Sequence, residues 1–189
     1  GRVNPMKEAI EVGGIVRGLF AGSFSEDLLS PFPRMQEEER ENVELLLDSL
    51  RKFADKEIDA RKIDEEGAIP ASVKDGLGEL GVMGVTIPEE YGGFGWSSTA
   101  YCRMMEEVSL YDASVATHIG GNLSLGSKGI ILFGTEEQKR RFLPKMATGE
   151  WIGAYALTEP SAGSDAQSLK SRAVLDAARR GRGLRVRAR

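Results

Sequence analysis

Residues 36–59 read QEEERENVELLLDSLRKFADKEID, and this stretch predicts one long amphipathic helix. Its apolar side chains recur at the i, i+3, i+4, i+7 spacing that places them on one helical face. They are Val43, Leu46, Leu47, Leu50, Phe53, Ala54 and Ile58. Glu37, Glu38 and Glu39 fall in the first turn, where negative charge is favourable. We therefore expect the fold to be built around this helix.

A shorter helix is expected from about Pro70 to Leu80. Proline suits the first turn of a helix, and Gly81 suits the position just after its end. The next residues, 82–96, are rich in Gly, Pro and aromatic residues, and they predict extended chain and loop.

Two more helical stretches follow. Ser97 or Ser98 is expected to cap the first. Its apolar face comprises Tyr101, Met104, Met105, Val108 and Tyr111. Residues 113–132 are mostly small and apolar and predict a buried helix, although each internal Gly costs about 1 kcal/mol relative to Ala. The glycines are Gly120, Gly121, Gly126 and Gly129. Close helix packing and a ligand channel would both account for them.

The last predicted helix gives way to strands. Thr135 and Gln138 have the spacing of a capping box, and Pro144 is expected to end or bend the helix. Residues 151–158 (WIGAYALT) and 167–175 (QSLKSRAVL) have β-type composition. Helices followed by strands predict a mainly α fold, with a helical unit leading into the first strands of a β unit.

Composition excludes several classes of protein. The 189 residues contain one Cys and one His, which excludes a disulfide framework and an intrachain Cys/His zinc site, and no metal site is predicted. No uninterrupted apolar run approaches the ~18 residues of a membrane span. Residues 6–22 contain Glu8, Glu11 and Arg17, so no secretion signal is expected.

The net charge of −4 joins two unlike parts. Residues 176–189 contain six Arg and one Asp, a local charge of +5, which leaves −9 for the remaining residues. Such an Arg-rich end is commonly a solvated tail, and nucleic-acid contact is the sharper alternative. A third interpretation is that the tail is the product of a truncation or frameshift.

The most informative segment is YALTEPSAGSD, residues 155–165. Pro160 and Gly163 predict a tight loop, and Ser161 and Ser164 add hydroxyl donors to backbone N–H groups. Such a loop can hold a phosphate or an electron-rich ring edge without a lysine, although an ordinary turn is the commoner meaning. The spacing matches neither a Walker loop nor a Rossmann fingerprint.

Three other side chains are candidates for chemistry. Ser124 is close to a nucleophile elbow, but Asn122 stands where that motif needs Gly, so serine hydrolysis is disfavoured. His118 is expected to be a packed or pocket-lining residue. Cys102 is expected to be a small buried apolar residue.

Three segments in this order resemble the acyl-CoA dehydrogenase family. They are PEEYGGFG (88–95), LFGTEEQKRRFLPKMATGE (132–150) and YALTEPSAGSDAQSLK (155–170). The resemblance spans about residues 36–175, and SFSEDLLSPFPRM (23–35) is most similar to the very-long-chain branch. It implies non-covalent FAD and α,β-dehydrogenation of a medium to very long acyl-CoA to the trans-2-enoyl-CoA. It also implies an electron-transferring flavoprotein as partner, no nucleic acid, a dimeric or tetrameric parent, and a bacterial cytoplasmic or mitochondrial matrix location.

The resemblance also assigns site residues. Those expected to bind FAD are Tyr155, Ala156, Leu157, Thr158, Gly163 and Ser164. Leu157 and Thr158 would lie against the isoalloxazine, with Thr158 hydrogen-bonding near its N5 edge. Ser164 would face the pyrophosphate and the acyl-CoA thioester. Gly120 and Gly121 resemble positions at the floor of the acyl pocket.

The chain also departs from the family pattern. The family's Trp-Ile-Thr/Ser element and its catalytic Glu, which lies in a C-terminal helical domain, have no counterpart here, and Glu159 belongs to the flavin motif instead. The domain organisation expected is an N-terminal extension (1–35), a helical domain (36–150), the start of a truncated flavin-binding β domain (151–175) and a non-family tail (176–189). The chain alone is expected to be inactive. A non-catalytic helical interaction module, an acyl-CoA oxidase and a flavin monooxygenase remain alternatives.

Overall fold

A computed structural model describes residues 14–20, 22, 24, 31, 34–174 and 185–187. The helices are α1 (Gly14–Phe20), α2 (Glu37–Glu57), α3 (Ala60–Glu66), α4 (Ala71–Glu79), α5 (Ser98–Ser109), α6 (Ala113–Gly120), α7 (Ser127–Phe133) and α8 (Glu136–Ala147). A π-helix, Gly121–Gly126, joins α6 to α7, and short 3₁₀ turns occur at Val82–Gly84, Glu89–Tyr91 and Ala166–Ser168. The predicted mainly α fold is confirmed.

Helix α2 forms as its sequence predicts and buries the predicted face. Val43, Leu47 and Leu50 are fully buried, and they pack toward α4 and α5. The helix ends at Glu57, and a separate helix, α3, follows. That helix was missed by the sequence analysis. Asp59 caps it, since its side chain accepts a hydrogen bond from the N–H of Lys62 at 3.1 Å.

Helix α5 is fixed at its start by α2. Ser97 is the N-cap, and its side chain accepts a hydrogen bond from the N–H of Ala100. The carboxylate of Glu39 in turn accepts from the N–H of Ser97 at 2.6 Å and from its hydroxyl at 2.9 Å. A charged side chain on α2 therefore supports the N-cap of α5.

Residues 82–96 differ from the extended chain that was predicted, because they fold back on themselves through two 3₁₀ turns. Gly81 enters the first turn with a φ of +75°, a conformation that favours glycine. Phe94 and Trp96 then donate their N–H groups to the carbonyls of Gly84 and Val85 at 3.1 and 2.8 Å. This folded segment packs against α8.

The predicted helix over residues 113–132 is helical throughout but not regular, because a π-helix interrupts it at Gly121–Gly126. The capping box of Thr135 and Gln138 is confirmed at the start of α8. Pro144 does not end α8, which continues to Ala147. Proline has no N–H, so α8 lacks the hydrogen bond that residue 144 would otherwise donate to the carbonyl four residues earlier, and the helix nevertheless continues for three more residues.

The strand predicted over residues 151–158 is wrong, since residues 152–158 are irregular. No strand among the described residues lies beside them to take up their backbone hydrogen bonds, and a strand needs such a neighbour. Within 167–175, the structure has a 3₁₀ turn and strand β1 (Arg172–Val174). Strand β1 pairs antiparallel with β2 (Arg185–Arg187), with Arg172 opposite Arg187.

Several predictions lie outside the described residues. The N-terminal extension is described only in part, and the segment 23–35 only at four positions. Of the Arg-rich tail, only β2 is described. Among the described helices, none combines the length and the hydrophobicity that a bilayer crossing requires.

Candidate functional site

The 155–165 loop is reached through residues that lie against the π-helix. Asn122, in the π-helix, is fully buried. Its side-chain amide donates to the carbonyls of Met83 and Met146 at 3.2 and 3.1 Å, and its Oδ1 accepts from the N–H of Gly153 at 3.0 Å. All polar atoms of this side chain are thus engaged, and one of them holds the chain two residues before Tyr155.

A glycine pair makes the second contact between the two segments. A Cβ placed on Gly126 would lie only 2.5 Å from Cα of Gly153, and one placed on Gly153 would overlap Gly126. Real Cβ atoms do not approach other heavy atoms so closely, so the two backbones touch because both residues lack a side chain. Trp151 fixes the same segment to α8, with Nζ of Lys145 4.5 Å from its ring centroid.

The loop itself is closed by a tight turn. The N–H of Glu159 donates to the carbonyl of Ala162 at 2.8 Å, and the N–H of Ala162 donates back at 3.2 Å. The Glu159 carboxylate accepts from the N–H groups of Lys170 and Ser171 at 2.8 and 2.9 Å. Hydrogen bonds from the Ser171 hydroxyl and from these N–H groups hold the pKa of Glu159 below its usual value. Glu159 is therefore a structural clasp.

The residues expected to contact FAD lie together on this loop. Tyr155, Ala156, Leu157, Thr158 and Ser164 are exposed, and Gly163 is half-buried. A Cβ on Gly163 would lie 3.4 Å from Cγ2 of Thr158, so these two residues are brought into contact. Within the described part of the chain, the N–H groups of Gly163 and Ser164 donate to no acceptor.

This arrangement combines an apolar surface with unused donors. Tyr155 is 60 % exposed and Leu157 is 44 % exposed, and Leu157 directly precedes Thr158 in the chain. A flat ring with hydrogen-bond acceptors along one edge, or a phosphate, can bind such a surface. The donor-lined loop that the sequence predicted is thus compatible with a flavin.

Gly120 and Gly121 lie apart from the loop contacts, where α6 meets the π-helix. A Cβ on Gly120 would lie 3.3 Å from the hydroxyl of Tyr101 and 3.4 Å from Cε of Met105, both on α5. A Cβ on Gly121 would meet nothing within 4 Å. Gly120 is therefore explained by helix packing, whereas Gly121 borders open space.

The other candidate side chains have local roles. The Ser124 hydroxyl donates to the carbonyl of Gly120 at 2.6 Å, within its own helix. His118 is half-buried and lines a cavity of about 450 Å³ together with Lys74 and Glu150. Burial, and secondarily the charge of Lys74, lowers the pKa of His118. Cys102 is exposed, so the prediction that it is buried was wrong; it lies beside the buried face of α5 but points out of it.

Asn122 and Gly153 belong to the site but are not among the residues that the sequence predicts. The sequence does show an Asn inside an apolar segment and a Gly inside WIGAY. Neither residue indicates which part of the chain it contacts. No group of three or more His, Cys, Asp or Glu residues in the described ranges is placed to bind a metal.

Comparison with known proteins identifies a family. Residues 40–150 match the model of the acyl-CoA dehydrogenase N-terminal domain. The mitochondrial very long-chain specific acyl-CoA dehydrogenase of Bos taurus is 39 % identical over 174 residues, which are 92 % of this chain and 26 % of that protein.

Solved structures agree with that match. An acyl-CoA dehydrogenase from Geobacillus kaustophilus superposes with a TM-score of 0.65 at 34 % identity, over 76 % of this chain and 37 % of that one. An acyl-CoA dehydrogenase complexed with FAD from Bacillus anthracis gives a TM-score of 0.59 at 34 % identity, over 76 % and 24 %.

The matches cover only part of each relative, but they agree on the family. The chain spans about a quarter of the length of the curated relative from Bos taurus. The match to the domain model covers more than half of the chain, in the region that the helices α2 to α8 form. By its N-terminal domain, the chain belongs to the acyl-CoA dehydrogenase family, whose members are FAD-containing oxidoreductases of fatty acid oxidation.

Proposed function

We propose that this chain is the N-terminal part of an FAD-dependent dehydrogenase that converts a medium to very long acyl-CoA to its trans-2-enoyl-CoA. The observation that carries the proposal is the 155–165 loop. Tyr155 and Leu157 are exposed, Thr158 lies against Gly163, and the N–H groups of Gly163 and Ser164 donate to no acceptor in the described part of the chain. This donor set suits a flavin ring and its phosphates.

The loop residues have separate roles in this proposal. Leu157 would lie against the isoalloxazine, and the Thr158 hydroxyl would donate toward its N5 edge. Ser164 would face the pyrophosphate and the thioester of the substrate. When bound, FAD supplies the acceptor for the hydride removed from the acyl chain. Tyr155, Ala156 and Gly163 complete the surface on which it lies.

Glu159 is not the base that removes the α-proton. Both of its carboxylate oxygens accept backbone hydrogen bonds, and its pKa is lowered, so it is a weak proton acceptor. We propose that the base is a Glu of the C-terminal helical domain that the family resemblance implies. The 189 residues alone are therefore expected to bind FAD without turning over acyl-CoA.

The acyl chain is proposed to reach the glycines at the α6–π-helix junction. A side chain at Gly121 would occupy open space, so its absence adds depth for a long substrate. Gly120 sits closer to α5 and keeps Tyr101 and Met105 near the helix axis. The similarity to a very long-chain specific relative supports a long substrate.

The remaining parts of the proposal follow from family membership. The redox partner is an electron-transferring flavoprotein, and the full-length protein is a dimer or tetramer. Residues 36–150 are the helical domain, and residues 151–175 begin the flavin-binding β domain. Relatives occur in mitochondria and in bacteria, so the compartment is the mitochondrial matrix or the bacterial cytoplasm.

Titration of the purified chain with FAD tests the site directly. We expect flavin fluorescence to be quenched on binding, with Thr158→Val and Ser164→Ala each weakening affinity about tenfold, the usual loss for one hydrogen bond of ~1.4 kcal/mol. Thr117→Ala is the matched control, since its hydroxyl bonds only within α6. The proposal is wrong if the chain does not bind FAD, or if both loop variants bind it as tightly as the wild type.

An anaerobic assay with a long-chain acyl-CoA and an artificial electron acceptor tests the second part. Adding FAD to the chain alone is expected to give no turnover. Turnover at an ordinary enzymatic rate would show that the base lies within these residues.

A further inference from the structure

One buried side chain joins the helical unit to the segment that leads into the 155–165 loop. Asn122 is fully buried and uses its amide to tie the carbonyls of Met83 and Met146, which belong to separate elements. Its remaining acceptor, Oδ1, takes the N–H of Gly153 at 3.0 Å. The same side chain therefore serves the core and the site.

The backbone between Gly153 and the Glu159–Ala162 turn has little other support. Residues 154–158 take no part in any backbone–backbone hydrogen bond within the described part of the chain. They form a short span held at both ends, by Asn122 at Gly153 and by the turn at Glu159. Because the span is short, the position of its first anchor limits where Tyr155 to Thr158 can lie.

The π-helix makes this anchor possible. Two contacts of the π-helix with the segment fall on one residue: Asn122 bonds the N–H of Gly153, and Gly126 packs against the Cα of Gly153. A π-helix carries its extra residue as a local bulge, and such bulges are common at functional sites. Here the bulge lies at the point where the helical unit touches the loop segment.

We infer that Asn122 is a positioning residue for flavin binding, which acts by holding Gly153 against the π-helix and so setting the place of Tyr155–Thr158. The inference rests on the proposed function, in which those residues contact FAD. A purely structural role would be confined to the carbonyls of Met83 and Met146. The two roles can be separated, because Gly153 can be altered without touching either carbonyl.

The first experiment measures the anchor without flavin. In hydrogen exchange of the purified chain, we expect the Gly153 amide to exchange at least tenfold faster in Asn122→Ala than in the wild type. In the NMR spectrum of this variant, residues 154–158 should no longer give the signals of a single conformation. Ser124→Ala is the control, since Ser124 lies exposed in the same π-helix and its hydroxyl bonds only to Gly120. Equal exchange at Gly153 in Asn122→Ala and wild type overturns the inference.

The second experiment keeps the inference testable if Asn122→Ala fails to fold. In Gly153→Ala, the added methyl would collide with Gly126 and come within 2.7 Å of Cε of Met146, so the segment must move away while the Asn122 bonds to Met83 and Met146 stay. We expect FAD affinity to fall at least tenfold, with a helical far-UV spectrum like that of the wild type and a shifted absorbance of the remaining bound flavin.

The outcomes separate this inference from the proposed function. If the wild type binds FAD and Gly153→Ala binds it equally well, with an unchanged flavin spectrum, Asn122 and Gly153 do not position the site. If the wild type binds no FAD, the proposed function fails, while the exchange at Gly153 still decides whether Asn122 anchors the segment.

Discussion

The carboxylate of Glu107 accepts two hydrogen bonds from the guanidinium of Arg51, from Nε at 3.0 Å and from Nη2 at 2.7 Å. Glu107 is only 7 % exposed, on α5, while Arg51 lies on α2. The hydrogen bond from Arg51 holds the pKa of Glu107 below its usual value, against the opposing effect of burial. Arg103 adds a longer ion pair at 3.4 Å. The two helices are thus joined by a forked ion pair in which the carboxylate is buried and the guanidinium is partly exposed.

Removing only Arg51 should destabilise the chain more than removing both partners. Arg51→Met leaves the Glu107 carboxylate buried without its main donor, whereas Arg51→Met with Glu107→Met replaces the pair by apolar side chains of similar volume. We expect the midpoint of urea unfolding to be lowest in the single variant. A double variant less stable than Arg51→Met would contradict this account, and Arg61→Met, in an exposed pair with Glu65, serves as control.

Two neighbouring leucines on α2 test the orientation of that helix. Leu47 is fully buried, and Leu47→Ala should lower the free energy of unfolding by about 3 kcal/mol through lost burial and the cavity that remains. Leu45 is 68 % exposed, and Leu45→Ala should change the free energy of unfolding by less than about 0.5 kcal/mol. Chemical denaturation measures both values. Similar losses at the two positions would mean that α2 presents a different face to the core.

His118 is the single histidine of the sequence, so its titration can be followed by NMR without assignment of other imidazoles. Burial and Lys74 lower its pKa from 6.5, and the folded chain therefore resists protonation. The stabilisation from neutral His118 is complete above pH 6.5 and is lost as the pH falls through that value toward the lowered pKa. His118→Gln should remove this part of the pH dependence of thermal unfolding.

Lys74 supplies the internal comparison for that measurement. Lys74→Gln should raise the pKa of His118 but leave it below 6.5, because burial is the larger cause. A pKa of 6.5 or above in the wild type would mean that the imidazole is open to water.

Acid should open the clasp at Glu159. Its pKa is lowered from 4.5, so the ionised clasp contributes stability above pH 4.5, and this contribution is lost as the pH falls from there through the lowered value. Amide exchange at Lys170 and Ser171, corrected for the intrinsic effect of pH, should rise over that range. In Glu159→Gln, amide exchange at Lys170 and Ser171 should be fast and should not change over this pH range. If the change with pH persists in that variant, it belongs to another carboxyl group.

Much of the helical layout is readable from local sequence. The spacing of Val43, Leu47 and Leu50 predicts the buried face of α2, and the Thr135–Gln138 pair predicts the start of α8. These features depend on residues three or four apart, so helix geometry alone relates them. The three family motifs likewise identify the family that the domain match confirms.

Other predictions were wrong because the structure at those positions depends on more than local sequence preferences. Residues 151–158 have the composition of a strand, but composition supplies no neighbouring strand. Pro144 is a helix breaker by type, yet α8 continues for three residues beyond it. Cys102 lies next to a buried stripe, but the face of α5 that packs on the core does not include it, and it is exposed.

The amino-acid sequence alone was sufficient for helices α2, α4, α5 and α8, for the donor-rich composition of the 155–165 loop and for the family. It could not say how that loop is attached. Asn122 bonds to partners 39, 24 and 31 residues away, and Gly126 touches Gly153 only because the chain has already folded. A helix period or a capping motif depends only on residues close together in the chain. The hydrogen-bond partners of a buried amide are instead the backbone groups that tertiary packing places next to it.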